Sequence, residues 1–254
     1  ITIGNPHLRA GFSHNFYIGL HSLKSTVVNV GMNYQFFTNG VSIMTYTDSL
    51  GRQVSQVANV NGSKNAGLYF SMSRKIKPID IDVNFSSNIS YGRIANYVNQ
   101  YLSQNDNSSV NLSLGLNKFV INKFSFQFSS NFYYSYLHSS INTTSSPHYW
   151  IQSHSMQISL FPLPGFEIST SGYYNWRQRL DNFDKLNASL LWNASISRNF
   201  FSNSLSVRWQ WNDILRQNAG MNRNITANEI TENTFNVTGR YWLMSMTWRF
   251  LHHR

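Results

Sequence analysis

Cysteine is absent from the 254 residues, which excludes disulfide staples and thiolate-held metal sites. Charge is also scarce: 12% of the residues are Asp, Glu, Lys or Arg, where a soluble domain carries about 25%. A surface exposed wholly to water needs more. Acids are the scarcer sign, ten against twenty basic residues, which leaves a net charge of +10. That excess raises nucleic acid as a partner, but the densest basic cluster is Arg74, Lys75 and Lys77 beside Pro78, and no contiguous stripe forms. Nucleic acid is therefore not an expected partner. No apolar run nears the roughly 18 residues of a membrane helix. The opening Ile-Thr-Ile-Gly-Asn-Pro is not a signal peptide, so an export signal is expected upstream.

Catalytic signatures are missing too. No Gly-x-Ser-x-Gly nucleophile elbow occurs. Asp80 and Asp82 are spaced to share a strand face as paired carboxylates, but they sit beside a short turn and read as rim residues. His154 cannot use Ser153 or Ser155 along a strand, because neighbours point to opposite faces. His252 and His253 are adjacent, with neither the spacing nor the acidic neighbour of a zinc site, and His138, His148 and His154 surround a loop. The expectation is no enzyme, no metal and no cofactor. Asn-x-Ser/Thr triplets such as those at Asn84, Asn88 and Asn111 fall inside strand-like stretches and read as by-products of a chain rich in Asn, Ser and Thr.

Alternation of apolar and polar residues runs from end to end. The clearest case is Phe124, Phe126, Phe128, Phe132, Tyr134 and Tyr136, with Ser125, Gln127, Ser129, Asn131 and Ser135 between them. The last strand, Arg240 to Phe250, puts Trp242, Met244, Met246, Trp248 and Phe250 on one parity and Tyr241, Leu243, Ser245, Thr247 and Arg249 on the other. A period of two means strands, and about eleven are counted. Most run to the 9 to 11 residues of a tilted membrane strand, where soluble strands average about 5 to 6. Aromatic residues bunch near segment ends, as at Tyr133, Tyr134, Tyr149, Trp150, Tyr173, Tyr174, Tyr241 and Trp242, consistent with an interfacial girdle.

Connections alternate in size. Short ones are expected near residues 22–25, 77–78, 121–123, 163–165 and 201–204. Longer ones are expected over 48–51, 102–109, 142–147, 181–185 and 216–233. Sorting of this kind belongs to outer-membrane barrels. The expected fold is thus all-β, an antiparallel up-and-down transmembrane β-barrel. From the odd strand count, with a first segment running toward a short turn, the chain is expected to be the C-terminal half of a larger barrel, since an open sheet leaves unpaired edges in lipid.

Gly4-Asn5-Pro6-His7-Leu8 and Ser13-His14-Asn15-Phe16 resemble a mid-barrel segment of the TonB-dependent receptor family, in its outer-membrane β-barrel branch. Asn212-Asp213-Ile214-Leu215 with Gln217, a long polar loop and a strand closing on Phe250 are similar to the same branch. The resemblance implies a 22-stranded barrel, an N-terminal plug, a periplasmic energy-coupling protein acting through that plug, and the outer-membrane assembly machinery as partners. It places the protein in the outer membrane of a gram-negative bacterium as a receptor or transporter, the alternative being a porin-like or anchoring barrel. No plug or coupling box stands within this sequence, and Leu251, His252, His253 and Arg254 follow the closing Phe250. The expected lipid-facing residues are Trp242, Met244, Met246, Trp248 and Phe250. Arg177, Arg208, Gln210, Asn212 and Arg240 are the candidate lumen residues, the arginines suiting anionic solutes.

Overall fold

The computed structural model describes residues 1–141, 147–179, 188–218, 220–225 and 230–250. Among these, every regular element is a strand. Fourteen strands form one sheet and two form a separate hairpin.

Eleven strands make an antiparallel meander in which each pairs with the next. They are β2 (Phe12–Leu23), β3 (Thr26–Thr38), β6 (Lys64–Ile76), β7 (Ile81–Val98), β8 (Tyr101–Val120) and β9 (Phe124–Ser139). β10 (His148–Leu163), β11 (Phe166–Arg177), β12 (Ala188–Phe200), β13 (Leu205–Asn212) and β16 (Tyr241–Trp248) complete the series. β2 and β16 are its two edges and do not pair with each other among the described residues. The count of eleven agrees with the sequence pattern. Closure into a barrel is not part of this sheet.

The remaining strands gather at the long-loop end. β4 (Gly40–Thr47) and β5 (Gln53–Val60) form a hairpin between β3 and β6, and β4 meets β7 in parallel at Met44↔Tyr97 and Thr45↔Val98. The opening residues run beside β5. β1 (Thr2–Ile3) pairs with it in parallel, Asn5 Nδ2 donates to Val57 O at 2.8 Å, and the Arg9 N–H donates to Asn59 Oδ1 at 2.7 Å. β14 (Met221–Ile225) and β15 (Ile230–Thr234) pair within the connection from β13 to β16.

The short turns fall where expected, but two expectations fail, one at each rim. Residues 102–109, read as a loop, lie inside β8, and the chain reverses at Asn99 and Gln100 instead. Both have positive φ, 48° and 70°, as the two central residues of a type I′ hairpin turn require. Asp80, read as sharing a strand face with Asp82, is a turn residue with φ 54°. It accepts an ion pair from Lys75 at 2.7 Å, and the strand begins one residue later. Most of the expected connection over 142–147, the whole of that over 181–185, and the tail Leu251 to Arg254 lie outside the described residues.

Direct partners in an antiparallel pair share a face, so the register decides which side chains line up across the sheet. One row reads Ile18, Met32, Leu68, Ile89, Val110, Tyr134 and Trp150. Another reads Leu160, Ile168, Ile196, Trp209 and Met244. The opposite face carries Asn33, Gly67, Ser90 and Ser109 in one row and Ser159, Ser169, Ser195 and Gln210 in another. The sheet is thus apolar on one side and polar on the other from edge to edge.

Among the described residues neither face is covered by a second layer. Among the described residues the buried hydrophobic side chains are Val54, Val60, Ala95, Leu137 and Tyr149, all at the long-loop end. Large apolar residues of the wall stay open: Leu20 is 73% exposed, Leu68 50% and Met156 44%. A soluble sheet of this size would bury such a face.

Candidate functional site on the polar face

The polar parity of the wall strands is built from small hydroxyl and amide side chains that bond across strands. Ser90 and Ser109 hydroxyls meet at 2.7 Å, Ser129 and Ser155 at 2.8 Å, and Ser169 and Ser195 at 2.8 Å. Ser73 donates to Asn84 Oδ1 at 2.7 Å, Asn29 Nδ2 to Ser71 Oγ at 2.9 Å, and Ser113 bonds Asn131. These pairs satisfy one another in part and leave further donors and acceptors directed away from the sheet. Short side chains keep the face low and wettable without placing ions beside an apolar layer.

Glycine shapes the β2–β3–β6 part of this face. Gly31 opposes Tyr69 across the pair, and a Cβ at Gly31 would overlap the Tyr69 ring. The Tyr17 ring lies over Gly19 in the same way. The two phenols meet with their oxygens 2.6 Å apart, forming a bridge laid flat over the glycines. Strand glycine marks such close approach, so the signal was present in the sequence at Gly19, Gly31 and Gly67, although only the register identifies the partner.

Among the recesses that open on this face are two of different size. The larger, about 630 Å³, lies toward the long-loop end and is lined by Asn33, Asn65, Asn88, Asn105 and Asn107 with Gly67. The smaller, about 210 Å³, includes Gln157, Ser171, Tyr173, Asn193, Arg208 and Gln210. Arg208 is its cation, and its Nη2 donates to the Ser195 hydroxyl at 3.2 Å. Gln210 Nε2 donates to Asn212 Oδ1 at 2.6 Å.

The candidate lumen residues separate accordingly. Arg208, Gln210 and Asn212 form one line on β13, on the polar face. Arg177 shares the polar parity but stands at the end of β11, apart from that line, where its partner in register is Ile151. Arg240 does not belong with them: it precedes β16, whose first pair is Tyr241↔Asn212, and it has the parity of Trp242. Trp242, Met244, Met246 and Trp248 pair with Trp211, Trp209, Val207 and Leu205 on the apolar face, and Phe250 lies past the end of β16. Trp242 is 65% exposed and Met246 67%, so they meet no packed core.

His154 is another correction. Read as one of three histidines around a loop, it lies well inside β10 on the apolar face, its ring 6.0 Å from that of Tyr174 and its Nδ1 2.9 Å from Ser130 Oγ. Pairing explains the place: a half-buried ring set among Phe132, Ser130 and Tyr174 has its hydrogen-bond partner directly across the strand pair.

Where the wall rises past the apolar band, the parity inverts. Arg93, Asp106 and His138 take the positions that carry apolar residues below, and Ile94, Val98 and Leu137 take the polar ones. Arg93 Nε donates to Asp106 Oδ1 at 2.6 Å, its Nη2 to Oδ2 at 2.7 Å, and Tyr91 OH to Oδ1 at 3.1 Å. This charge-assisted fork marks the long-loop boundary of the apolar face. Farther out, at the tip between β4 and β5, the Arg52 N–H chiefly, with the Arg52 side chain and the Leu50 N–H, holds the Asp48 carboxyl below its ordinary range.

Comparison with curated proteins and with solved structures gives no match. Residues 1–117 and 102–248 each match the family described as the outer membrane protein beta-barrel family, and the chain belongs to that family.

Proposed function

We propose that the eleven-stranded meander is part of the wall of an outer-membrane receptor or transporter in a gram-negative bacterium. Its apolar face meets lipid and its polar face lines a solute path. The observation that carries this reading is the division of the sheet, up to the level of the Arg93–Asp106 pair, into one apolar and one polar face, with no covering layer among the described residues. Strand length supports it. At about 3.3 Å per residue the 20 residues of β8 extend about 66 Å, or about 47 Å in height at 45° tilt, against a hydrocarbon core of roughly 30 Å. The surplus stands above the membrane at the long-loop end, where the Arg93–Asp106 pair and the β4–β5 hairpin are found.

The finer assignment, energised uptake in the TonB-dependent manner, rests on the resemblance of Gly4 to Leu8, Ser13 to Phe16 and Asn212 to Gln217. In this proposal the free edges of β2 and β16 pair with barrel strands outside this sequence, a plug fills the lumen, and a periplasmic energy-coupling protein acts through the plug. The assembly machinery reads the closing strand. Arg208, with Gln210 and Asn212, contacts solute on the polar face, and no chemical step is assigned.

The test uses the full-length protein in planar bilayers, with single cysteines introduced at Asn131 on the polar face or Met156 on the apolar face. Modification by a charged, water-soluble thiosulfonate is expected to change conductance through the unplugged barrel at residue 131 and to leave it unchanged at residue 156. Equal effects at both positions would overturn the lumen assignment. Solute uptake by cells that survives a protonophore would overturn energised transport while leaving a passive pore.

A further inference from the structure

We infer that the apolar face carries, at its short-turn end, a binding band for the phosphate headgroups of anionic phospholipids. The inference rests on the reading of that face as lipid-covered, and it adds what the lipid must supply there.

Three strands running toward the short-turn rim end in the same way. β6 closes on Arg74-Lys75-Ile76, β8 on Lys118-Phe119-Val120 and β12 on Arg198-Asn199-Phe200. In each, a cation stands two residues before the last strand residue and has the parity of the apolar face. Register confirms the side: Arg74 is opposite Val83, Lys118 opposite Phe126, and Arg198 opposite Phe166 and Val207. Each cation therefore has an apolar residue on either side along its own strand: Met72 and Ile76, Leu116 and Val120, Ile196 and Phe200. It sits within the apolar band, not beyond it.

Among the described residues no carboxylate on that face forms an ion pair with these cations. Of the acids in the described wall strands, Asp82 and Glu167 have the polar parity, and Asp106 lies at the opposite end, taken by Arg93. Asp80, in the turn after β6, pairs with Lys75. Lys118 Nζ finds a backbone carbonyl, Ile79 O at 2.7 Å, and lies 5.7 Å from the Phe124 ring centre. Arg198 lies 5.2 Å from the centre of the Phe200 ring. These contacts hold Lys118 and Arg198 against the face; the Asp80 carboxylate, already paired with Lys75, also lies within electrostatic reach of Lys118, but among the described residues no carboxylate forms an ion pair with Arg74, Lys118 or Arg198. Cations among apolar residues at the edge of a hydrocarbon layer are stabilised by phosphate oxygens at headgroup depth, which accept several charge-assisted hydrogen bonds. Lys24, Lys77 and Lys123 in the adjoining turns add positive potential at the same level. At the long-loop end the wall cation of β7, Arg93, is instead neutralised by Asp106.

The experiment uses the full chain folded in neutral detergent micelles and follows the midpoint of heat-modifiable migration as phosphatidylglycerol or phosphatidylcholine is added. Phosphatidylglycerol is expected to raise the midpoint several degrees more than phosphatidylcholine. The triple variant R74Q/K118Q/R198Q is expected to lose that excess while keeping the response to phosphatidylcholine, and K118Q alone to lose part of it should the triple variant not fold. K64Q, at the other end of the face, should keep the full excess. Inorganic phosphate at equal concentration should not reproduce it. An equal response to the two lipids in the unsubstituted chain, an excess retained by the triple variant, or full reproduction by free phosphate would overturn the headgroup band. No response to either lipid would instead overturn the lipid reading of the face.

Discussion

Asn111 and Leu112 are neighbours on β8 that point to opposite faces, which makes them a matched pair for testing what covers each side. Leu112 lies on the apolar face opposite Ser87 and Phe132, and Asn111 on the polar face opposite Asn88 and Tyr133. Both stand in the middle of the apolar band of β8, between the Asp106 boundary and Lys118. Arginine introduced at either position adds the same charge, the same length and the same strand propensity. At Leu112 it faces hydrocarbon near the midplane, where the cost is about 2 to 4 kcal/mol. That lowers the folding equilibrium about 30- to 700-fold, at about 1.4 kcal/mol per decade. At Asn111 the guanidinium faces the wet side among amides and hydroxyls, and the change should stay within about 0.5 kcal/mol. The assay is equilibrium unfolding in urea from lipid bilayers, followed by tryptophan fluorescence and by heat-modifiable migration. Equal costs at the two positions, or a larger cost for N111R, would refute the division of the sheet into lipid and water faces.

G31A drives a Cβ into the Tyr69 ring and is expected to cost about 1 to 3 kcal/mol as an overpacked contact. Urea unfolding measures it, and G31A/Y69S should recover most of the loss. At the Asn99–Gln100 turn, Q100G removes the strain of a non-glycine residue at φ 70° and should raise stability by about 0.5 to 1 kcal/mol. A loss would mean that the reversal is not the two-residue turn. Asp48 has a folded pKa below its unfolded value, so its contribution is present above the unfolded value of about 3.9 and fades as pH falls through the lower folded one. Amide exchange at the β4–β5 tip should therefore accelerate in acid below about pH 4, and D48N should abolish that dependence. Asp80 is depressed in the same sense by the Lys75 ammonium, so D80N should likewise flatten acid-induced opening of the turn between β6 and β7.

The wall was legible in the sequence because its two faces differ at every second residue over long stretches. The Phe124 to Tyr136 series of β9 and the Trp242 to Trp248 series of β16 need no partner to declare their parity. Legibility ended where parity stopped tracking lipid. Between Arg93 and Asp106 the apolar side turns charged and the polar side turns aliphatic, so a continuous β7–β8 hairpin looks like two strands and a loop. The β4–β5 hairpin and its parallel contact with β7 depend on tertiary placement that no local period records. For the candidate site, the two-residue spacing of Arg208, Gln210 and Asn212 placed them on one face in advance. The asparagine recess and the Tyr17–Tyr69 bridge join strands far apart in sequence, and only the register of β2, β3, β6, β7 and β8 brings them together. Arg240 illustrates the converse error, a strand boundary set one residue too early.

The central claim is that alternate residues of one strand meet water and lipid. Its most direct test is a single-cysteine scan of residues 124–136 on β9 in the full-length protein in bilayers, aided by the absence of native cysteine from this chain. Substitutions at Ser125, Gln127, Ser129 and Asn131 should react with a water-soluble maleimide, and those at Phe124, Phe126, Phe128 and Phe132 should instead be reached by a lipid-phase quencher. Reactivity without a period of two, or maleimide labelling concentrated at the phenylalanine positions, would contradict the account.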